Sequence, residues 1–357
     1  MANAGSPHLA QLGARGRPTG SASAAEARAY CAAVLVRLGF GVLEDSFEYS
    51  AFTGAWAAPV AGILLAACAI GFYIGRRLPA LGIVSLAVLV LGLGFLAWLG
   101  RRGVLDFALM RRRGVNLEAT RGALDPTVWL VAHLDSKWQP VSMILRVASV
   151  VATTVGTVAM LAVCFAPMHL SDRGASIVLV GTVLVAIPLI LSVVGDRNHG
   201  TLDNASGVAA VLHAAELLPR NARVGVLITD AEELALAGAR AWTRSRGPGV
   251  ALNCDSIDDG GQLTVMYTGR KPQRLVEGVT RAAAQAGEPV RVLRLLPGVL
   301  TDSVALADSG WDTLTLSRGS ARTLRRIHTS RDSLTWMRGS GISGAARVLA
   351  TTALELS

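Results

Sequence analysis

The stretch Thr127-Val128-Trp129-Leu130-Val131-Ala132-His133-Leu134-Asp135-Ser136-Lys137 changes character in mid-course. Thr127–Ala132 is aliphatic, aromatic or β-branched, which is the content of a strand. The residues that follow are polar. His133 and Asp135 stand two apart on an extended segment, so both side chains can face one way and the carboxylate can fix the imidazole tautomer. A strand that merely ends in a solvated His and Asp is the plain alternative.

Outward from this point the same alternation recurs. Arg223–Thr229, Val250–Asn253, Gln262–Tyr267, Arg291–Leu296 and Asp312–Leu316 have strand content, whereas Ser206–Leu218, Leu234–Arg244, Pro272–Ala286 and Ser340–Leu354 have helical spacing. This order predicts an α/β fold, a mostly parallel mixed sheet flanked by helices. Open sheets of this kind collect functional groups just beyond strand ends.

Four more polar segments lie in such places. Gly200-Thr201-Leu202-Asp203-Asn204-Ala205-Ser206-Gly207 opens a helix. Asn204 or Ser206 can serve there as N-cap, and Asp203, beside the positive end of the helix, stays ionised and available as a ligand. Thr229-Asp230-Ala231-Glu232-Glu233 sets two glutamates after a strand. They read either as first-turn acids that answer the helix dipole or as a pair that divides metal binding from proton transfer. Asp255 ends the run Leu252-Asn253-Cys254, and His328 sits in the polar loop Ile327-His328-Thr329-Ser330-Arg331-Asp332 before the last helix. The other histidines have less telling settings. His8 is in the N-terminal tail, His169 at the edge of an apolar run, His199 ahead of the glycine loop, and His213 inside a helix.

Composition adds a second theme. The 357 residues are 52% hydrophobic and 17% charged, with a mean hydropathy of +0.46, against about 25% charged in an ordinary soluble domain. That excludes a disordered chain and demands long apolar runs. Four exist: 27 uncharged residues between Glu48 and Arg76, 23 between Arg77 and Arg101, 25 between Arg146 and Asp172, and 22 between Arg173 and Asp196. Each exceeds the roughly 20 residues that cross a bilayer as a helix. Their dense cores are Trp56–Gly75, Pro79–Gly100, Val147–Met168 and Ala175–Gly195.

The expected organisation is a disordered tail over 1–23, an α/β domain formed by 24–55, 101–146 and 196–357, and two transmembrane hairpins, 56–100 and 147–195, that interrupt it. The lipid bilayer is therefore an expected partner. The tail lacks the apolar core of a signal peptide, so the first apolar run is expected to serve as targeting signal. The net charge of +9 is nearly all arginine, with Lys137 and Lys271 the only lysines among 34 basic residues. No aromatic-interleaved basic groove accompanies it, so nucleic acid is not an expected partner. Cys31, Cys68, Cys164 and Cys254 show no paired spacing, which argues against a disulfide framework or a cysteine zinc site.

Basic residues near the run ends are uneven. Arg37, Arg101, Arg102, Arg111, Arg112, Arg113, Lys137, Arg146 and Arg197 lie on the side of the α/β domain, and Arg76, Arg77 and Arg173 lie in the opposite turns. The positive-inside rule then predicts a cytoplasmic α/β domain.

In order and local wording, the five polar segments resemble the zinc-dependent aminopeptidase family of the aminopeptidase Y and aminopeptidase S type, whose relatives include glutaminyl cyclases and glutamate carboxypeptidase. The likeness runs from Ala24-Ala25-Glu26-Ala27-Arg28 through the loop at His328. It implies a zinc exopeptidase-like fold and two Zn²⁺ ions, for which Co²⁺ or Mn²⁺ could substitute. His133 and Asp255 would hold one ion, Glu233 and His328 the other, and Asp203 would bridge them. Glu232 would be the general base that activates a zinc-bridging water, and Asp135 would orient His133. His133 and Asp203 are 70 positions apart, far beyond the family's short spacer, but the second hairpin accounts for 49 of them. Ala235 and Thr301-Asp302-Ser303 depart from the family's wording. Asp302 reads as a pocket residue that meets a substrate amine or as a helix N-cap.

These readings imply a membrane-anchored dizinc aminopeptidase acting on peptide N-termini. A single-zinc glutaminyl cyclase, suggested by Lys137 after the His-Leu-Asp-Ser run, and a non-catalytic receptor or scaffold on the same fold are the alternatives.

Overall fold

The computed structural model describes residues 6–122, 125–166, 170–295 and 299–357. The chain divides into two compact units, one of Met1–Tyr49, Arg111–Trp138 and Gly195–Ser357, the other of Ser50–Met110 and Gln139–Val194.

The first unit is built on one sheet of eight described strands: β1 (Gly41–Ser50), β2 (Arg111–Thr120), β3 (Val128–His133), β4 (Val224–Thr229), β5 (Val250–Ile257), β6 (Gln262–Tyr267), β7 (Val290–Arg294) and β8 (Asp312–Gly319). Their order is β1-β2-β4-β3-β5-β8-β6-β7. β4, β3, β5 and β8 run parallel, as do β6 and β7, while β2 with β4 and β6 with β8 pair antiparallel. The mixed α/β expectation holds. β3 is buried at every position, as suits a strand covered on both faces. On one face Trp129, Val131, Leu227, Trp242, Ala251, Leu306 and Trp311 form a core cluster. Trp242 is large and fully buried, and its indole N–H finds the Glu118 carboxylate at 2.8 Å, as a buried Trp requires.

Register explains where the polar segments go. Val128 pairs with Val224 and with Val250, and His133 pairs with Thr229. The C-terminal ends of three neighbouring parallel strands thus reach the same sheet edge, carrying His133, the Thr229–Glu233 turn and Asp255 to one place.

The strands lie within a few residues of their expected bounds. β5 and β8 run several residues further, because β8 continues pairing beyond Leu316 with Arg318 opposite Ile257. The helix expected from Leu234 begins at Ala237, since Ala235 and Leu236 adopt left-handed φ of 73° and 61°. Leu296, Met168 and His169 lie outside the described residues.

The expected disordered tail needs correction over 6–23. Pro7–Leu12 is a helix capped by Ser6, and Ala22–Arg37 begins inside the segment with Ser21 as its N-cap. Leu9, Leu12 and Arg17 are buried. The Ala, Gly, Ser and Pro content that suggested disorder supplies caps and turns, and three side chains anchor the segment.

The second unit holds the helices Ala51–Gly75, Pro79–Trp98, Met143–Phe165 and Asp172–Ile190. Among the described residues these four are long and apolar enough to cross a membrane, with mean hydropathies of 2.0 to 2.6. Their inner side uses small groups and hydroxyls. A Cβ on Gly75 would sit 2.7 Å from the Gly82 Cα, Thr157 donates to the Leu65 carbonyl at 3.2 Å, and the Tyr73 and Ser176 hydroxyls meet at 2.9 Å. Such close approach and hydroxyl bonding are how helices associate in lipid. Leu91, Val155 and Ile177 stay exposed on the outside, a surface that water would penalise.

Candidate active site

His133 ends β3 with its ring buried. Nδ1 donates to the Asp135 main-chain carbonyl at 3.1 Å, so the Nε2 lone pair faces inward. Asp203 Oδ1 lies 3.2 Å from that Nε2, Asp255 Oδ1 3.8 Å and Glu232 Oε2 3.9 Å. On the other side Asp203 Oδ2 is 3.1 Å from His328 Nε2, which is 3.0 Å from Glu233 Oε1. Asp203 therefore turns one oxygen to each histidine.

All six residues are buried. They fall into two groups, His133 with Glu232 and Asp255, and Asp203 with Glu233 and His328, each offering ligand atoms within 4.8 Å of one another. The expected ligand residues and the expected base have all converged.

Supporting contacts fix each loop. The Asp135 carboxylate accepts the backbone N–H groups of Glu232 and Glu233 at 3.0 and 3.1 Å. That revises one expectation, because the group on His133 Nδ1 is the Asp135 carbonyl, with the carboxylate at 3.6 Å. Asp135 thereby ties the segment after β3 to the glutamate pair after β4. Asn204 Oδ1 accepts from Gly207 and Ser256, and its amide donates to the Cys254 carbonyl. It so caps the helix start and ties the Asp203 loop to β5. Ser206 instead donates to the Leu202 carbonyl and accepts from Ile257. Lys137 Nζ sits 2.7 Å from Glu233 Oε2. Gly200, Ala231, Ser256 and His328 all have φ near +60°, a concentration of left-handed backbone that belongs at functional sites.

Asp302 departs from its reading as an N-cap. Its side chain is buried, and the cap position is Thr301. Thr229 donates to it at 2.5 Å. Burial, opposed by His133, pushes its carboxyl up to about 7.

Two supports were not singled out from sequence. Asp332 accepts the backbone N–H groups of Leu202 and Asp203. Arg17, 1% exposed, donates to the carbonyls of Leu134, Leu12, Arg15, His199 and Gly200, and its own backbone exchanges hydrogen bonds with Ser136. It braces the loops on which Asp135 and Asp203 stand. Its place in a tail-like sequence concealed it.

The electrostatics of the centre follow from this crowding of acids and imidazoles. Burial lowers the affinity of His133 for a proton, but Glu232, Asp135, Asp203 and Asp255 together hold it well above the usual imidazole range. His328 is likewise raised, against burial, chiefly by Glu233. Burial pushes Glu232 well above the usual glutamate value, eased by His133 and reinforced by Glu233, Asp302 and Asp255. Asp203 is held below the usual range by the two histidines in spite of burial. A buried set this rich in acceptors calls for cations at its middle. His133 Nε2 and Glu233 Oε1 are buried without hydrogen-bond partners, a setting that suits metal-ligating atoms. Two imidazoles and several carboxylates suit zinc.

Residues 115–353 match the description of peptidase family M28. The chain belongs to peptidase family M28. It is accordingly a zinc metallopeptidase. None of the curated proteins compared matches it. Among solved structures, an aminopeptidase from Aneurinibacillus sp. strain AM-1 is similar with a TM-score of 0.58 and 13% identity, covering 98% of this chain and 92% of that one. A zinc aminopeptidase from Bacillus subtilis gives 0.55 and 13%, with 98% and 93% covered. A glutaminyl cyclase from Fimbriiglobus ruber gives 0.54 and 14%, with 98% and 93% covered. At these identities the likeness is one of fold. The M28 match ends at Ala353 and begins within β2, so Arg17 and the N-terminal helices lie outside it.

Proposed function

We propose that this M28 chain is a membrane-anchored dizinc aminopeptidase that removes N-terminal residues from peptides. The observation that carries the reading is Asp203, whose two oxygens face His133 and His328 at 3.2 and 3.1 Å, as a carboxylate shared by two ions must. His133 and Asp255 would hold one ion, Glu233 and His328 the other, with Asp203 between. When bound, zinc supplies Lewis acidity, bringing the pKa of a coordinated water toward neutrality and stabilising negative charge on an attacked carbonyl.

The chain's own residues do the rest. Glu232, next to the ligand Glu233 yet grouped with His133, is placed to take the proton of the attacking water on its carboxylate and return it to the leaving amine. The Asp135 carboxylate fixes the backbone of both glutamates, so base and ligand keep a set distance. Its carbonyl fixes His133 with Nε2 free to bind. The four apolar helices would anchor the enzyme in the bilayer, and the excess of basic residues on its side favours a cytoplasmic catalytic unit.

A specific contact favours the cyclase alternative. Lys137 engages Glu233 at 2.7 Å, which ties up one oxygen of a ligand to the second ion and would favour a single zinc. The readings separate on detergent-purified full-length protein. Aminoacyl chromogenic substrates should be hydrolysed, the activity lost with chelator and restored by zinc. Release of ammonia from N-terminal glutaminyl peptides, with no aminoacyl hydrolysis, would instead establish the cyclase. A reporter active only outside the cytoplasm, fused at Ser357, should stay silent.

A further inference from the structure

Away from the active site, a second set of side chains converges on one point. His8 lies on the helix Pro7–Leu12, and His213 and Glu216 lie one turn apart on Ser206–Leu217. His8 Nε2 is 3.1 Å from Glu216 Oε1, and His213 Nδ1 is 2.8 Å from Glu216 Oε2. The imidazole centroids are 4.6 Å apart. One nitrogen of each ring and a carboxylate oxygen lie within 4.8 Å of one another. These are two of the histidines that the sequence gives least reason to notice, and the peptidase reaction has no use for them.

The far side of each ring is also engaged. His8 Nδ1 meets the Tyr30 hydroxyl at 2.7 Å, and His213 Nε2 meets the Ser6 hydroxyl at 2.8 Å. A hydroxyl oxygen that accepts the ring N–H leaves the opposite nitrogen with its lone pair toward Glu216. Outer partners of this kind orient imidazoles around metals and set their tautomer. The donors are then two neutral imidazole nitrogens and a carboxylate, with zinc bond lengths of about 2.0–2.1 Å placing tetrahedral neighbours roughly 3.3 Å apart. The nitrogen-to-carboxylate distances, 3.1 Å to one oxygen and 2.8 Å to the other, are somewhat shorter than that spacing, so the donors need only part slightly to admit an ion. His8 is buried, His213 half-buried and Glu216 exposed, so one side stays open for a water as fourth ligand.

We propose that His8, His213 and Glu216 form a second metal site, for a borderline divalent cation of the zinc class. None of the three belongs to the groups around Asp203, so the site stands apart from the catalytic centre and independent of how that centre is read. Its ion fastens the N-terminal helix, and with it the Arg17 brace, to the helix that follows the Asp203 loop. The competing arrangement has the hydroxyls donating to the rings and the rings donating to the carboxylate, a hydrogen-bonded trio with no ion.

Zinc per chain, measured by plasma mass spectrometry on full-length protein equilibrated over a range of chelator-buffered free zinc, decides between them. The double variant His8→Ala/His213→Ala should hold one equivalent fewer than wild type. Glu216→Gln, isosteric and on the exposed side, should need at least tenfold more free zinc to fill that equivalent. Retention of the remaining zinc in both variants reports that they are folded. Binding curves that coincide for wild type and both variants would overturn the proposal and leave the hydrogen-bonded trio.

Discussion

Replacing Arg17 with Met tests whether a residue outside the M28 match holds the active-site loops in place. Arg17 is buried and fans its guanidinium over carbonyls from three segments, with Nε to Leu134 at 2.8 Å and the terminal nitrogens to His199 at 2.9 Å and Gly200 at 2.7 Å, besides Leu12 and Arg15. Methionine keeps much of the volume and none of the donors. Gly200 retains a bond from Ala205, but the buried Leu134 and Leu12 carbonyls lose theirs. An unpaired buried acceptor costs about 1–3 kcal/mol, so two give roughly 2–6 kcal/mol. Part is offset because the guanidinium need no longer be buried, a burden visible in its pKa, which burial pulls down to about 10. A net loss of about 2–4 kcal/mol shifts Tm by roughly 5–15 °C for a domain of this size. Loops that move by about 1 Å also cost catalysis, up to about a hundredfold. Thermal unfolding by intrinsic fluorescence and kcat/KM on the same detergent preparation read both effects. Arg17→Lys keeps the charge without the planar fork and should recover only part. A variant Arg17→Met with wild-type Tm and wild-type kcat/KM would refute the bracing role.

Two further outcomes concern the metal centre. Asp203→Asn should weaken metal binding at both positions, because one carboxylate faces both histidines; loss of a single equivalent, read by metal analysis, would contradict sharing. Metal uptake by the ion-free protein should release protons. His133, His328 and Glu232, all among the groups that would surround the ions, titrate above their ordinary values. All are therefore more protonated near pH 6.5 than free side chains, and a divalent cation must expel those protons. Affinity then rises with pH between about 6 and 8. Calorimetry in buffers of different ionisation enthalpy should count more than one proton at pH 6.5, whereas ordinary values would allow about one, half from each histidine.

The legible part of this protein was its periodic part and its polar punctuation. β3, β4 and β6 follow from short runs of aliphatic, aromatic and β-branched residues, and the four apolar helices from uncharged runs long enough to cross a bilayer, signals that local composition carries. The site was legible because its acids and His133 lie at or just after strand ends or ahead of a helix, which parallel register brings together, while His328 stands out as a histidine in a polar loop. The misplaced features depend on distant partners. Arg17 looks like a tail residue until the Leu134 and Gly200 carbonyls arrive to meet it. Asp135 looks like a partner for His133, yet its carboxylate is claimed by two backbone N–H groups some hundred positions on. Asp302 stands in the first turn of a helix, one residue past the cap at Thr301, and its carboxylate is buried where it accepts from Thr229. The pairing of His8 with His213 follows from the docking of a six-residue helix whose composition is unremarkable.

The central claim is that Glu232 moves the proton while Glu233 holds metal. Glu232→Gln and Glu233→Gln, measured side by side for zinc content and for aminoacyl hydrolysis, test it most directly. Glu232→Gln should keep its full zinc complement and lose several orders of magnitude in kcat, because only the proton acceptor is gone, whereas Glu233→Gln should lose zinc. Loss of zinc from Glu232→Gln together with its retention in Glu233→Gln would contradict the assignment.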